Sequence, residues 1–124
     1  MRDALVLIAH GSREADANAD LHHLAAEVRR SGGYLTVVSA FLELADPDID
    51  KGAAHCVATG AERVVLLPYF LSAGVHVRRD LAAARERLAE RFPHVDFRLA
   101  EPLGRHPALA QVVTERAREA LRTE

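Results

Sequence analysis

The chain has 124 residues, 49% hydrophobic and 27% charged, which is one domain's worth of sequence with enough apolar content for a single core. Its 16 Lys and Arg against 18 Asp and Glu leave a formal charge of -2, so neither nucleic acid nor an anionic membrane is expected as a partner, and any anionic ligand must meet a local basic cluster. Cys56 is the only cysteine, and no apolar stretch approaches the ~20 residues of a membrane span. With no good signal peptide behind Arg2-Asp3, a soluble cytoplasmic protein without internal disulfides or a thiolate cage is expected.

Ala4 to Ala9 is a short, continuously apolar run that stops at His10-Gly11-Ser12, the pattern of a strand, β1, buried on both faces. Ala17, Leu21, Leu24, Ala25 and Val28 then share one helical stripe, α1, and Ser31-Gly32-Gly33 ends it. Tyr34 to Phe41 is rich in β-branched and aromatic residues but carries Thr36 and Ser39, as a less enclosed strand β2 would. Asp46-Pro47 predicts an N-cap and first helical residue for α2, running from about Pro47 to Thr59 with Gly60 as its stop. Cys56, on a stripe with Ile49 and Ala53, reads as a packing residue.

A second unbroken apolar run, Arg63 to Leu71, predicts strand β3, and Val77, Leu81, Ala84 and Leu88 mark a helix α3 ending before Phe92-Pro93. In β4, His94 to Ala100, Val95, Phe97 and Leu99 alternate with Asp96 and Arg98, as at a sheet edge. Pro107 opens α4, with the stripe Leu109, Val112, Val113, Ala117, Ala120 and Leu121. Four βα units predict a single α/β domain over residues 1 to 124. It should be a three-layer sandwich whose four-stranded parallel sheet has the order 2-1-3-4, with the fully apolar strands central and helices on both faces.

Ligands of such sheets bind beyond the carboxyl ends of the strands where the winding reverses, here between the exits of β1 and β3. His10 leaves β1 at that edge, Glu43 follows β2, and His76 follows β3. Each is 33 residues from the next, one βα unit, so all three can project from one edge. A His, Glu, His set suits a divalent first-row metal or proton transfer near neutral pH. Gly11 and Gly74 would let a flat ligand approach the backbone. The remaining histidines, His22, His23, His55, His94 and His106, fall on helix surfaces or beside turns.

The segments "AHGSRxxxAN" (9 to 18), "AFLELADPDI" (40 to 49), "VVLLPYFLSAGVHVRRDL" (64 to 81) and "EPLGRHPAL" (101 to 109) together resemble the sirohydrochlorin chelatase family, the class II chelatases, in its short form. That resemblance implies insertion of cobalt or ferrous iron, with nickel as a further option, into a precorrin-derived tetrapyrrole for cobalamin or sirohaem biosynthesis. The metal is then substrate, and no organic cofactor is implied. It also implies that His10 and His76 bind the metal, that Glu43 is the acidic member of the site, and that two copies pair as a homodimer because one short chain is one lobe. Sirohydrochlorin is rimmed by carboxylates. Arg13, Arg78 or Arg79 could pair with them, as could Ser12, Ser72 and the backbone amides near Ser12 and Gly74.

Three other readings compete. A histidine phosphatase needs an arginine immediately before the strand-end histidine, where this chain has Ala9. A serine hydrolase built on Ser12 would need Gly-x-Ser-x-Gly, which is absent. A metal or tetrapyrrole carrier would use the same ligands as a chelatase without accelerating insertion.

Overall fold

A computed structural model describes residues 1–122, two fewer than the expected single domain spans. The elements are β1 (Asp3–Ala9), α1 (Ala15–Ser31), β2 (Thr36–Phe41), α2 (Ile49–Thr59), β3 (Arg63–Pro68), α3 (Val75–Arg91), β4 (Asp96–Leu99) and α4 (Pro107–Arg122). All strand pairs are parallel and the order is β2-β1-β3-β4, as the placing of mixed strands outside predicts.

β1 is the axis of the molecule. Ala4 to Ile8 are all buried, because helices cover both faces of this strand. On one face Val6, Ile8, Val64, Leu66 and Phe97 meet α2 and α3 through Ile49, Ala53, Cys56, Leu81, Ala84 and Leu88. On the other, Leu5, Leu7, Val37 and Phe41 meet α1 through Leu21 and Ala25. Each fully buried leucine in these clusters stabilises the fold by roughly 1.5–3 kcal/mol, so the sheet edge is anchored by a rigid body. Cys56 lies in the core, where burial pushes its thiol up to about 11 and keeps it protonated.

Several boundaries differ from expectation. α2 starts at Ile49 rather than Pro47, since the Pro47 carbonyl accepts a hydrogen bond from Phe41 N and Asp48 is the residue that caps, its carboxylate accepting from Lys51 N at 2.8 Å. β2 begins at Thr36, leaving Tyr34 and Leu35 part-exposed before the sheet. β3 stops at Pro68. Tyr69 N still donates to Ile8, but Leu71 stands out in solvent on the loop that follows.

The largest departure concerns the second helical layer. β3 is buried on one face only: Val64, Leu66 and Pro68 are enclosed, whereas Val65 and Leu67 are half-covered. Val65 and Leu67 pack against the cluster that holds α1's Leu21 and Ala25 but are only partly covered there, and α4, which would complete the layer, buries none of its own residues. Val112 and Val113 of its apolar stripe are exposed. The connection from β4 is pinned to the β3 exit by Leu103 N donating to Phe70 O, and from there α4 does not pack back onto the sheet. No helix among the described residues is long and apolar enough to cross a membrane.

Candidate active site

The carboxyl edge of the sheet is built from the outgoing residues of β1, β2 and β3. His10 leaves β1 with its ring stacked on Phe70, centroids 4.4 Å apart and planes 29° from parallel. Phe70 itself is core, so the imidazole is oriented by a fixed aromatic surface while remaining open to solvent. The His10 carbonyl accepts from Glu43 N at 3.0 Å, which ties the end of β1 to the turn after β2. Gly11 sits at φ 98, and a Cβ there would lie 1.8 Å from the Glu43 carbonyl oxygen. The space expected to admit a flat ligand at Gly11 is therefore taken by the main chain of Glu43. At Gly74, the N-cap of α3, a Cβ would meet nothing, and that approach is open.

Ser12 also differs from expectation. Its amide donates to Asn18 Oδ1 (3.0 Å), its carbonyl accepts from Asn18 Nδ2 (2.7 Å), and its hydroxyl accepts from Glu14 N (3.0 Å). These bonds close the loop into α1 and occupy the Ser12 amide and carbonyl, while the hydroxyl keeps its O–H donor. Asn18 was not among the candidates from sequence. The signal was its place in the first turn of α1, where a carboxamide can satisfy both polar groups of one preceding residue.

Two recesses open on this edge. The first, about 430 Å³, is lined by His10, Leu42, Glu43, Val77, Asp80 and Arg87, among others. Asp80 is the residue that sequence reasoning missed here. It lies four positions beyond His76, one turn along the same helical stripe, and this spacing was the available signal. Arg87 adds no free cation, because Asp50 holds it through two hydrogen bonds of 3.1 and 2.9 Å and raises its pKa. The recess is thus imidazole and carboxylate, a polarity suited to a divalent cation and to accepting protons.

The second recess, about 390 Å³, is lined by Leu71, Ser72, Arg78, Glu101, Gly104 and Arg105, with Pro102. Arg78 donates from Nε to Ala73 O and pairs with Glu101 at 3.4 Å. Of the residues expected near the macrocycle, Ser72 and Arg78 are here, whereas Arg13 and Arg79 are exposed and outside both recesses. His76 is exposed in the first turn of α3 and lines neither. Of the three expected metal ligands, His10 and Glu43 line a common recess and His76 is not among its lining residues. Among the described residues no three of His, Cys, Asp and Glu gather at metal-binding distance. Equal sequence spacing placed all three at one edge, but His76 follows a loop of six residues, 69 to 74, and lies in the first turn of α3, whereas His10 and Glu43 follow their strands directly.

A third hollow, about 660 Å³, is a groove lined by α1, β2 and α2 with Pro47, and with His22, Arg29, Lys51 and His55 on its walls. It holds none of the candidates.

Residues 4–120 match the family model described as CbiX. The chain is 34% identical over 119 residues to the chloroplastic sirohydrochlorin ferrochelatase of Arabidopsis thaliana, covering 96% of this chain but only 53% of that protein. It is 30% identical to the sirohydrochlorin cobaltochelatase of Methanopyrus kandleri, covering 98% of this chain and 99% of that one. Among solved structures, a CbiX protein from Marinobacter aquaeolei VT8 superimposes with a TM-score of 0.85 at 33% identity, over 97% of this chain and 98% of the other.

Proposed function

The chain belongs to the CbiX family, and from that premise we propose that it is a chelatase, inserting cobalt(II) or iron(II) into sirohydrochlorin to supply cobalamin or sirohaem synthesis. The observation that carries this reading is the shared recess of His10 and Glu43, two proton-accepting groups joined through their main chains at the switch point of the sheet.

Insertion exchanges two pyrrole N–H protons for one divalent ion. Each proton needs an acceptor, and the ion must arrive partly stripped of water and leave inside the product. Neutral imidazole at His10 can ligate the ion loosely, and Glu43 or Asp80 across the recess can accept a proton. His76 is proposed as the further ligand, presented from the tip of α3. A site without a ready-made three-ligand cage suits a metal that is cargo, because tight closed ligation would retain it. Leu44 after β2, and Leu71 and Val75 after β3, are exposed apolar side chains that a flat macrocycle at this edge would cover. Ser72 and Arg78 line the second recess together with Leu71.

The active form is proposed to be a homodimer. Support comes from the apolar stripe of α4 and the half-covered Val65 and Leu67, surfaces that a second copy would remove from water. The test follows sirohydrochlorin absorbance under anaerobic conditions with cobalt(II) or iron(II), with and without protein, beside sedimentation at the assay concentration. Accelerated insertion by a species of twice the chain mass is expected. Equal rates would leave a carrier, and an active monomer would refute the dimer.

A further inference from the structure

We infer that Arg105, acting with Arg78, clamps one peripheral carboxylate of the macrocycle, and that Glu101 holds the place on Arg78 which this carboxylate takes. The inference rests on the tetrapyrrole reading above and deepens it by assigning the second recess.

Three observations converge. Arg105 has φ 66, a left-handed conformation that costs a side-chain-bearing residue free energy and that glycine would adopt without strain. The turn around it is firmly built: Leu103 N donates to Phe70 O (2.9 Å), His106 N to Leu103 O (3.2 Å), and the neighbouring Gly104 passes so close to Leu71 that a Cβ would lie 1.9 Å from its carbonyl oxygen. So rigid a turn presents a long cation at a position where backbone strain alone would favour glycine. Among the described residues the Arg105 guanidinium makes no ion pair or hydrogen bond, though it lines a recess shared with Arg78 and Ser72.

Arg78 is already prepared for an anion. Its Nε is tethered to Ala73 O at 3.1 Å, which aims the guanidinium, and its Nη1 meets Glu101 at 3.4 Å. Glu101 is 85% exposed, so the pair is solvent-screened and contributes little, and an incoming carboxylate can replace it without a large penalty. Two guanidinium groups around one carboxylate offer bidentate, planar recognition that a lysine pair would not reproduce. The clamp is also in register with the metal side of the edge, because Phe70 both accepts the Leu103 hydrogen bond and carries the His10 ring.

Arg105→Gly separates this role from a structural one, since glycine relieves the left-handed strain while removing the cation. Binding is read by fluorescence for sirohydrochlorin and for a water-soluble porphyrin whose rim carries neutral amides, beside insertion kinetics. Arg105→Gly is expected to weaken sirohydrochlorin binding and raise KM about tenfold, the loss of one charged hydrogen-bond pair, with kcat little changed and Tm equal or higher. Arg105→Lys should recover part of the loss, and the amide-rimmed porphyrin should not distinguish the variants. Unchanged sirohydrochlorin affinity in Arg105→Gly, or an equal loss for both macrocycles, overturns the clamp. Wild-type protein that binds sirohydrochlorin in an Arg105-dependent way yet inserts no metal would overturn the chelatase reading alone.

Discussion

The two ends of the sheet differ in what they leave open: the carboxyl edge has ion pairs of its own, Arg87–Asp50 and Arg78–Glu101, but His10, Glu43 and His76 stand outside them. At the amino edge Asp3 accepts two hydrogen bonds from Arg63, at 2.8 and 2.9 Å, while Glu62 accepts from Arg2 N and Arg98 pairs with Asp96. At the carboxyl edge the His10 ring is held by stacking, and among the described residues this ring, the Glu43 carboxylate and the His76 ring have no ion pair or hydrogen bond. Polar groups that satisfy one another stabilise a fold, whereas polar groups held rigidly and left open are available to a ligand. The same parallel strands thus supply a closed end and an open one.

Three substitutions sharpen this contrast. His10→Ala, at the open end, should lower kcat for metal insertion by roughly a hundredfold or more, the scale of losing a proton-transfer or metal-ligating group. Its Tm should stay within a few degrees of wild type, because the ring is exposed. Near-normal turnover in steady-state assays would remove His10 from the chemistry. Gly11→Ala, one residue on, should act through the fold instead: the added Cβ must displace the Glu43 carbonyl and adopt a left-handed φ. A loss of about 2–4 kcal/mol and a fall in Tm on the order of 10 °C are expected by calorimetry. A Tm equal to wild type would mean that the crossing of the β1 and β2 exits is looser than the geometry requires.

The smallest effect belongs to the closed end. The Arg63 guanidinium holds the Asp3 carboxyl below its ordinary range, so the pair's contribution is present above the unfolded value near ~4 and is lost as pH falls through the lower folded value. Asp3→Asn should therefore be slightly less stable than wild type at neutral pH, converge with it in acid, and insert metal at the wild-type rate. Stability curves that run parallel at every pH would show that the pair contributes nothing.

Much of the architecture was legible in particular residues. The unbroken run Ala4 to Ile8 marked the central strand because only a two-sided burial tolerates it, and Asp96 and Arg98 marked β4 as outer. β3 misled in part. Its run is equally apolar, yet Val65 and Leu67 are half-covered, since apolar character states what should be buried and not whether the same chain supplies the cover. α4 teaches the same lesson from the helix side: its stripe is plain in sequence, and its partner is not. At the carboxyl edge, the neighbouring positions of His10 and Glu43 were legible from their strand exits. The duties of Gly11 and Ser12 were not, because both were read as facing a ligand when each is occupied by its own chain, by the Glu43 carbonyl and by Asn18.

Local pattern determined the strands, the helices, their order and the edge at which chemistry-bearing residues emerge, because hydrophobic periodicity and right-handed crossover act on short stretches of chain. Only the tertiary structure decided which of those residues share a wall. Distances across an edge depend on loop paths and helix phase, so Asp80 and Arg105 entered the two recesses while His76, at the expected spacing, stayed outside both.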